Sequence, residues 1–353
     1  MTTQKITGET TVTAGRLDAA GGGARQGASA LRARFLGVLG FEILMILVFS
    51  LASERFLSLG NGRAVLFTAA ILTVAVAGQS LVVLTGNLDL SVGSIMGLTA
   101  YVVYDITAGS GTLSVFVVII GVAAGAVLGL INGFLVAVLD IPSIVATLGT
   151  LAIYRGLTSL YSSGGQVTSD EVPRWIRSVA DANLLGIPVY VVVAVVMIAV
   201  VALILRDLPW GRRIYAYGSN PKAAMFFGLN RTRIITGAYV ASGAIAGLAG
   251  LMLGGQVGSF SSLLANGYEL QVLAAVVIGG ISIWGGSGSV VGAALGALVL
   301  ATINNGLVLL QVNEFYRLLI QGIAIILAVA VDALVRNRVT RITLRRRTME
   351  ADA

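Results

Sequence analysis

Residues 69–104 read AAILTVAVAGQSLVVLTGNLDLSVGSIMGLTAYVVY. Two apolar runs flank the decapeptide TGNLDLSVGS at 85–94, in which Asn87, Asp89 and Ser91 take alternate positions. What such an interruption means depends on the solvent its flanks face. The chain has 353 residues, 57% of them hydrophobic and 11% charged, against about 25% charged in a soluble domain. It lacks the polar surface to face water all round, and reads as an all-α polytopic membrane protein. It has no Cys and no His, which removes disulfides, thiol chemistry, imidazole acid–base catalysis and most zinc sites.

A helix needs roughly 20 apolar residues to cross the hydrocarbon layer. The pattern predicts about ten spans, at 36–53, 64–84, 92–108, 113–138, 143–162, 188–206, 233–255, 268–283, 289–311 and 316–335. Basic residues orient them, because Lys and Arg collect on the cytoplasmic side. Lys5, Arg16, Arg25, Arg32 and Arg34 precede the first span. Arg206, Arg212, Arg213, Lys222, Arg231 and Arg233 lie in the loop 206–233, and Arg336, Arg338, Arg341, Arg345, Arg346 and Arg347 follow the last span. Even numbers of spans separate the three tracts, so all three fall on one side. Both termini are then cytoplasmic. The net charge of +7 is thus accounted for by membrane orientation, and no nucleic acid is expected as a partner. Residues 1–34, rich in Gly, Ala and Thr without period, read as a disordered cytoplasmic segment. Residues 35–336 form the transmembrane domain, and 337–353 a basic cytoplasmic tail. The one sizeable outward loop, 163–187, includes an amphipathic stretch around Trp175.

Glycines recur every four residues at Gly121, Gly125, Gly129 and Gly133, at Gly243 and Gly247, at Gly250 and Gly254, and at Gly288, Gly292 and Gly296. This spacing makes smooth helix faces for close packing, or faces on which helices slide. A short internal echo links LINGFLVAVLDIPSIVATLG (130–149) with TINNGLVLLQVNEFYRLLIQG (302–322). The spans entering the two copies run in opposite directions, as a five-plus-five inverted repeat requires.

An Asp near the bilayer centre costs roughly 2.5–3.5 kcal/mol on insertion scales. Gly86 and Gly93 permit an unwound backbone around it, and Asp89 and Ser91 can cap a helix starting near Val92. The segment 85–91 is therefore predicted to be a break within the membrane. Irregular backbone at that depth is tolerated only when buried in protein or lining a cavity. Asp89 either lines the path or does no more than cap. The candidate pathway residues are Gln79, Asn87, Asp89, Ser91, Asn132, Asn304 and Asn305. Thr147, Gln271 and Gln321 are further uncharged polar residues in apolar runs. Such an inventory suits a neutral hydroxylated solute better than an ion. Glu42 and Arg155 are read as snorkelling or pairing locally.

The loop 206–233 holds PKAAMFFGL (221–229), with Asn220 and Pro221 as helix starters. A short, partly apolar helix facing the cytosol is surface for a partner. The chain holds no phosphate-gripping Gly-x-x-x-x-Gly-Lys-Ser/Thr loop, and GSGSVVG (286–292) has the wrong glycine spacing for a dinucleotide loop. If ATP drives transport, another chain binds it.

In order, GNLDLSVGS (86–94), NGFLVAVLDIPSIVATLGTLAIYRGL (132–157), GRRIYAYGSNPKAAMFFGLN (211–230), YVASGAIAGLAGL (239–251) and YELQVLAAVVIGGISIWGGSGSVVGAALGALVLATINNGL (268–307) resemble the permease subunit of ribose-type ABC importers. These belong to the branched-chain-amino-acid/ribose permease superfamily and serve ribose, xylose, rhamnose or the autoinducer-2 signal. The resemblance runs from about residue 36 to 335. It implies a second permease copy or paralogue, a cytosolic ATPase subunit that binds ATP and Mg, and a periplasmic or lipid-anchored sugar-binding protein. No cofactor is implied on this chain, which is a transport subunit and not an enzyme. The family's coupling motif GxNxxAAxxxGI maps onto Gly218, Asn220, Ala223, Ala224 and Gly228, with Lys222 in place of the usual acidic residue and Leu229 in place of Ile. The binding protein would dock on the outer loops, where Arg55, Arg63, Glu171, Arg174, Arg177 and Glu314 are the candidate contacts. A secondary transporter would need several buried carboxylates or a midplane cation site. A membrane enzyme would need clustered His, Cys or paired acids.

Overall fold

In the computed structural model, residues 35–107, 114–170, 172, 174–323 and 326 are described. The predicted disordered N-terminus, the basic tail and Glu171 lie outside them. The described residues form helices α1 (Phe35–Ala52), α2 (Leu59–Leu84), α3 (Val92–Thr107), α4 (Ser114–Ala137), α5 (Ser143–Ser162), α6 (Arg174–Asp181) and α7 (Val189–Asp207). They continue as α8 (Pro209–Ser219), α9 (Pro221–Phe226), α10 (Arg231–Val257), α11 (Tyr268–Ile278), α12 (Val290–Leu309) and α13 (314–323). Seven of these, α1, α2, α4, α5, α7, α10 and α12, are long and apolar enough to cross a membrane, and α3 and α11 are shorter apolar helices. Among the described residues, two two-residue antiparallel pairs are the sheet content: β1 (Gln166–Val167) with β4 (Phe260–Ser261), and β2 (Asn183–Leu184) with β3 (Ile187–Pro188). The chain is an all-α polytopic membrane protein. The predicted span 268–283 resolves into the short α11 followed by an irregular stretch to Ser289, because Gly280, Gly285, Gly286 and Gly288 all take positive φ there.

Helix limits follow from local chemistry. Ser58 caps α2 by accepting from Asn61 N, and Asn230 caps α10 by accepting from Arg233 N at 2.9 Å. The left-handed Gly258 ends α10. Buried positions of α2 run unbroken from Ala69 to Leu84. A helix apolar on every side belongs inside a bundle, and α2 is the central stave, touched by α7, α10, α11 and α12.

The glycine spacing is realised as packing. Gly125 and Gly129 of α4 face the carbonyls of Gly243 and Tyr239 on α10, and Gly247 of α10 faces that of Gly121, at distances that leave no room for a Cβ. Gly250 lies against the Met96 carbonyl of α3, and Gly292 and Gly296 against Gly279 and Ala275 around α11. Without a hydrophobic force between helices in lipid, such backbone approach supplies the dispersion that holds them. At the edge of the bundle, α1 docks on α12. Phe49 stacks over Gly306, and buried Glu42 accepts from the Thr302 hydroxyl at 2.8 Å. Glu42 thus pairs locally and does not snorkel.

Candidate functional site

The break predicted at 85–91 is present. The helix α2 stops at Leu84, Gly86 takes φ +78, and α3 begins at Val92. Tyr239, eight residues along α10 from Arg231, donates to the Leu88 carbonyl at 2.9 Å. Eight residues of helix rise about 12 Å, so the break sits well inside the bundle.

Five helices converge there. Asp89 is fully buried; its Oδ1 accepts from Ser91 N at 2.9 Å and from Ser91 Oγ at 2.7 Å. Ser91 Oγ in turn accepts from Asn132 Nδ2 at 2.7 Å. Gln79 Nε2 donates to the Asp89 carbonyl at 3.1 Å, and Leu88 N donates to Ser143 Oγ at 3.2 Å. Tyr154 closes the cluster by donating to the Leu128 carbonyl at 2.9 Å. Two acceptors remain without a hydrogen bond, Asp89 Oδ2 and Gln79 Oε1. Buried polar atoms are nearly always paired. The unpaired carboxylate oxygen and the unpaired amide oxygen are the unsatisfied acceptors of this cluster.

Of the other predicted pathway residues, Asn87 is half-buried at the rim and donates to Thr85 Oγ1 at 2.9 Å. Asn304 and Asn305 stand elsewhere, near the far end of α12. Asn304 accepts from Arg317 of α13 at 3.4 Å, and Asn305 Oδ1 is buried without a partner. Gln79, Asp89, Ser91 and Asn132 are brought together; Asn304 and Asn305 are not joined to them.

The second candidate element is the unit α8–α9. Asn220 Oδ1 accepts from Ala223 N at 3.0 Å and starts α9, with Pro221 at its first position. The helix ends after six residues. Leu229 N donates to the Ala224 carbonyl at 3.0 Å, Gly228 N to that of Met225 at 2.9 Å, and Gly228 is left-handed at φ +78. This is a Schellman closure, and it explains why the predicted helix 221–229 is shorter. Ala224 is buried and Ala223 half-buried. The outward face is Lys222, Met225, Phe226 and Phe227, with the two phenylalanines 92% and 86% exposed. Gly218 is not on that face: it is buried against the carbonyl of Leu84 and the N–H of Gly286, which itself donates to Leu84 O at 2.9 Å. Hence α8 connects α9 directly to the last residue before the break. The loop after α9 is pinned by Arg231, which bonds Asp140 at 2.6 Å and the carbonyls of Val136 and Ala137.

At the opposite end of the bundle, Arg55, Arg174 and Glu314 are exposed, and Arg177 is half-buried. Arg63 is bound, donating to Asn183 Oδ1 at 2.6 Å on the β2–β3 hairpin.

Residues 63–329 match the family described as "Branched-chain amino acid transport system / permease component". The chain belongs to this family. The permease is similar to the ribose import permease protein of Bacillus subtilis, 38% identical over 294 residues that cover 83% of this chain and 91% of that one. It is 35% identical to the fructose import permease protein of Rhizobium meliloti, over 83% and 85% of the two chains. It is 33% identical to the autoinducer 2 import system permease protein of Escherichia coli K12, over 85% and 86%. No solved structure matches the permease.

Sequence reading missed Ser143, Tyr154 and Tyr239 in the permease's buried cluster. Ser143 opens α5, where a short hydroxyl ordinarily bonds nearby backbone, and Tyr154 and Tyr239 read as aromatic bulk within apolar spans. Only the packing brings them to Leu88 and Leu128.

Proposed function

We propose that the permease carries a monosaccharide across the bacterial inner membrane by alternating access, driven by a separate ATPase subunit docked on α9. The observation that carries this reading is the unit α8–α9: two exposed phenylalanines on a rigidly capped helix, joined through Gly218 to the end of α2 beside the polar break. A push on α9 thereby reaches the end of α2, the helix that carries Gln79 of the buried cluster. On this reading the end bearing α9 is cytoplasmic, since Arg206, Arg212, Arg213, Lys222, Arg231 and Arg233 gather there. ATP and Mg bind the ATPase and not this chain. A sugar as cargo is supported by the printed names of the relatives and by the hydroxyl and amide groups of Gln79, Ser91 and Asn132 that surround Asp89 in the buried cluster. A sugar-binding protein docks at the opposite end, on Arg55, Arg63, Arg174, Arg177 and Glu314, and a second permease copy or paralogue completes the path.

The test is uptake into proteoliposomes holding the permease, its ATPase and its binding protein, with labelled ribose, xylose, rhamnose and fructose as probes. Uptake of one of them is expected with ATP and is absent with an imposed proton or sodium gradient alone. Gradient-driven accumulation without the ATPase would overturn the reading in favour of a secondary transporter.

A further inference from the structure

The stretch between α10 and α11 returns into the bundle from the end opposite α9. The helix α11 has eleven residues and rises only about 16 Å, about half of a layer about 30 Å thick. The preceding residues 258–267 are irregular, with Ala265 at φ +59 and Gly258 and Gly267 left-handed. Irregular backbone packed against the bundle leaves carbonyls without helix partners, and each must be met by protein.

Arg155 of α5 meets them. Its Nη1 donates to the Leu264 carbonyl at 2.8 Å and to that of Ser262 at 3.4 Å, and its Nη2 to that of Ala265 at 3.4 Å. A planar guanidinium forks across several acceptors in a way that an ammonium cannot. The clamped loop closes on the start of α3. A Cβ on Gly97 would stand 2.6 Å from Leu264 O, one on Gly93 would stand 2.8 Å from Ala265 O, and Glu269 lies directly over Gly93. Glu269 Oε1 accepts from Gly267 N at 3.2 Å, while its Oε2 is buried without a partner. One further tie leads outward. Gln166 and Val167, at the start of the loop that carries α6, pair antiparallel with Ser261 and Phe260. Phe260 is buried between the rings of Tyr101 and Tyr104 of α3.

We infer that the segment 258–267 is the closure of the path at the end opposite α9, latched by Arg155 and tied to the docking loop by the β1–β4 pair. Arg155 is a positioning residue. It touches no cargo and holds the backbone that blocks the cargo's way over α3. A partner that lifts the loop carrying α6 pulls β4 through β1, frees the carbonyls of 262, 264 and 265, and opens the space above Gly93 and Gly97. The inference rests on the transport function proposed above.

The chain contains no cysteine, so a disulfide across the pair can be introduced without competitors. Residues opposed in an antiparallel pair have Cα atoms about 4.5–5.5 Å apart, inside the range a disulfide accepts. In the complete complex with Gln166→Cys and Ser261→Cys, the disulfide should form at once. It fastens β4 to β1, so pulling on the docking loop must then carry the whole closure with it. The latch itself is disturbed in two separate variants: Arg155→Gln removes the clamp, and Gly97→Ser, with Arg155 intact, wedges the loop away from α3 at Leu264. Two results are expected. The disulfide leaves ATP-driven uptake within twofold of the reduced form, because the pair moves as one strap. Arg155→Gln and Gly97→Ser each raise ATP hydrolysis relative to sugar carried by at least fivefold, since the latch no longer opens and shuts in step. A disulfide that never forms, or an unchanged ratio of hydrolysis to uptake in both latch variants, would overturn the inference. The reduced double-cysteine complex reports separately whether sugar is carried at all, so failure of the transport reading shows there and not in the ratio.

Discussion

Replacing Gly218 by Val should reduce sugar uptake by at least tenfold while leaving the amount of permease inserted in the membrane near that of the parent. A Cβ at this position overlaps the Leu84 carbonyl oxygen and stands 2.6 Å from Gly286 N. Both obstacles are backbone, and Leu84 O and Gly286 N already bond one another at 2.9 Å. Neither can yield as the tip of a flexible side chain would. Overpacking of this kind typically costs about 1–3 kcal/mol, too little to unfold the whole bundle but enough to part α8 from the end of α2. On the proposed mechanism, that junction is the one through which movement of α9 reaches the break at 85–91. Gly228→Ala is the control. Its φ of +78 makes Ala strained, yet open space surrounds it, so the cost is only the roughly 1–2 kcal/mol of a left-handed Ala, and uptake should fall less. Uptake in vesicles, normalised to permease in the membrane, decides between them. Equal uptake by Gly218→Val and the parent would remove α8 from the route.

Changing Phe226 and Phe227 together to Asp should abolish co-purification of the ATPase. Burying an exposed phenyl ring contributes about 1.5–3 kcal/mol, and interface aromatics of this type act as hot spots. Removing two rings together weakens association on the order of 10²- to 10⁴-fold, at about 1.4 kcal/mol for each factor of ten. Both side chains project from α9 with little protein around them, so fold and insertion should be unaffected. An alanine-to-arginine change at Ala224 is a poorer probe, because Ala224 is buried and a long cation there would disturb α9 itself. Pull-down of the ATPase with the doubly substituted permease, followed by the rate of ATP-driven uptake, gives the result.

Much of this architecture is legible in the chain because membrane helices obey few rules. Length and apolarity place the spans, Asn220 and Pro221 start α9, and glycines four apart on α4 and α10 find one another. The break at 85–91 is legible for the same reason: an Asp in an apolar run beside Gly86, which takes positive φ, points to irregular backbone, although Gly93 turns out to lie within α3. The closure at 258–267 is not. Its residues, GSFSSLLANG, are those of an ordinary loop, and nothing local says that they return into the bundle. The sign is Arg155, a cation in an apolar span, whose partners are backbone carbonyls more than a hundred residues away and so carry no side-chain signature. Apolarity alone overstates the length of α11, because it runs on to Ile283 past Gly279 and the positive-φ Gly280, where the helix ends. The coupling motif includes Gly218, which packing buries against Leu84 and Gly286, while the exposed face of α9 is Lys222, Met225, Phe226 and Phe227. Asn304 and Asn305 share the polarity of the Asp89 cluster, and only the tertiary arrangement separates them from it.

The central claim is that α9 faces the cytosol and is covered by the ATPase. Since the chain has no native cysteine, Phe226→Cys gives one thiol at the 92% exposed position, and its rate of reaction with a membrane-impermeant maleimide measures the claim directly. The thiol should be silent in intact cells, react in inside-out vesicles stripped of the ATPase, and slow at least tenfold when purified ATPase is restored. Labelling in intact cells, or a rate indifferent to the ATPase, would contradict it.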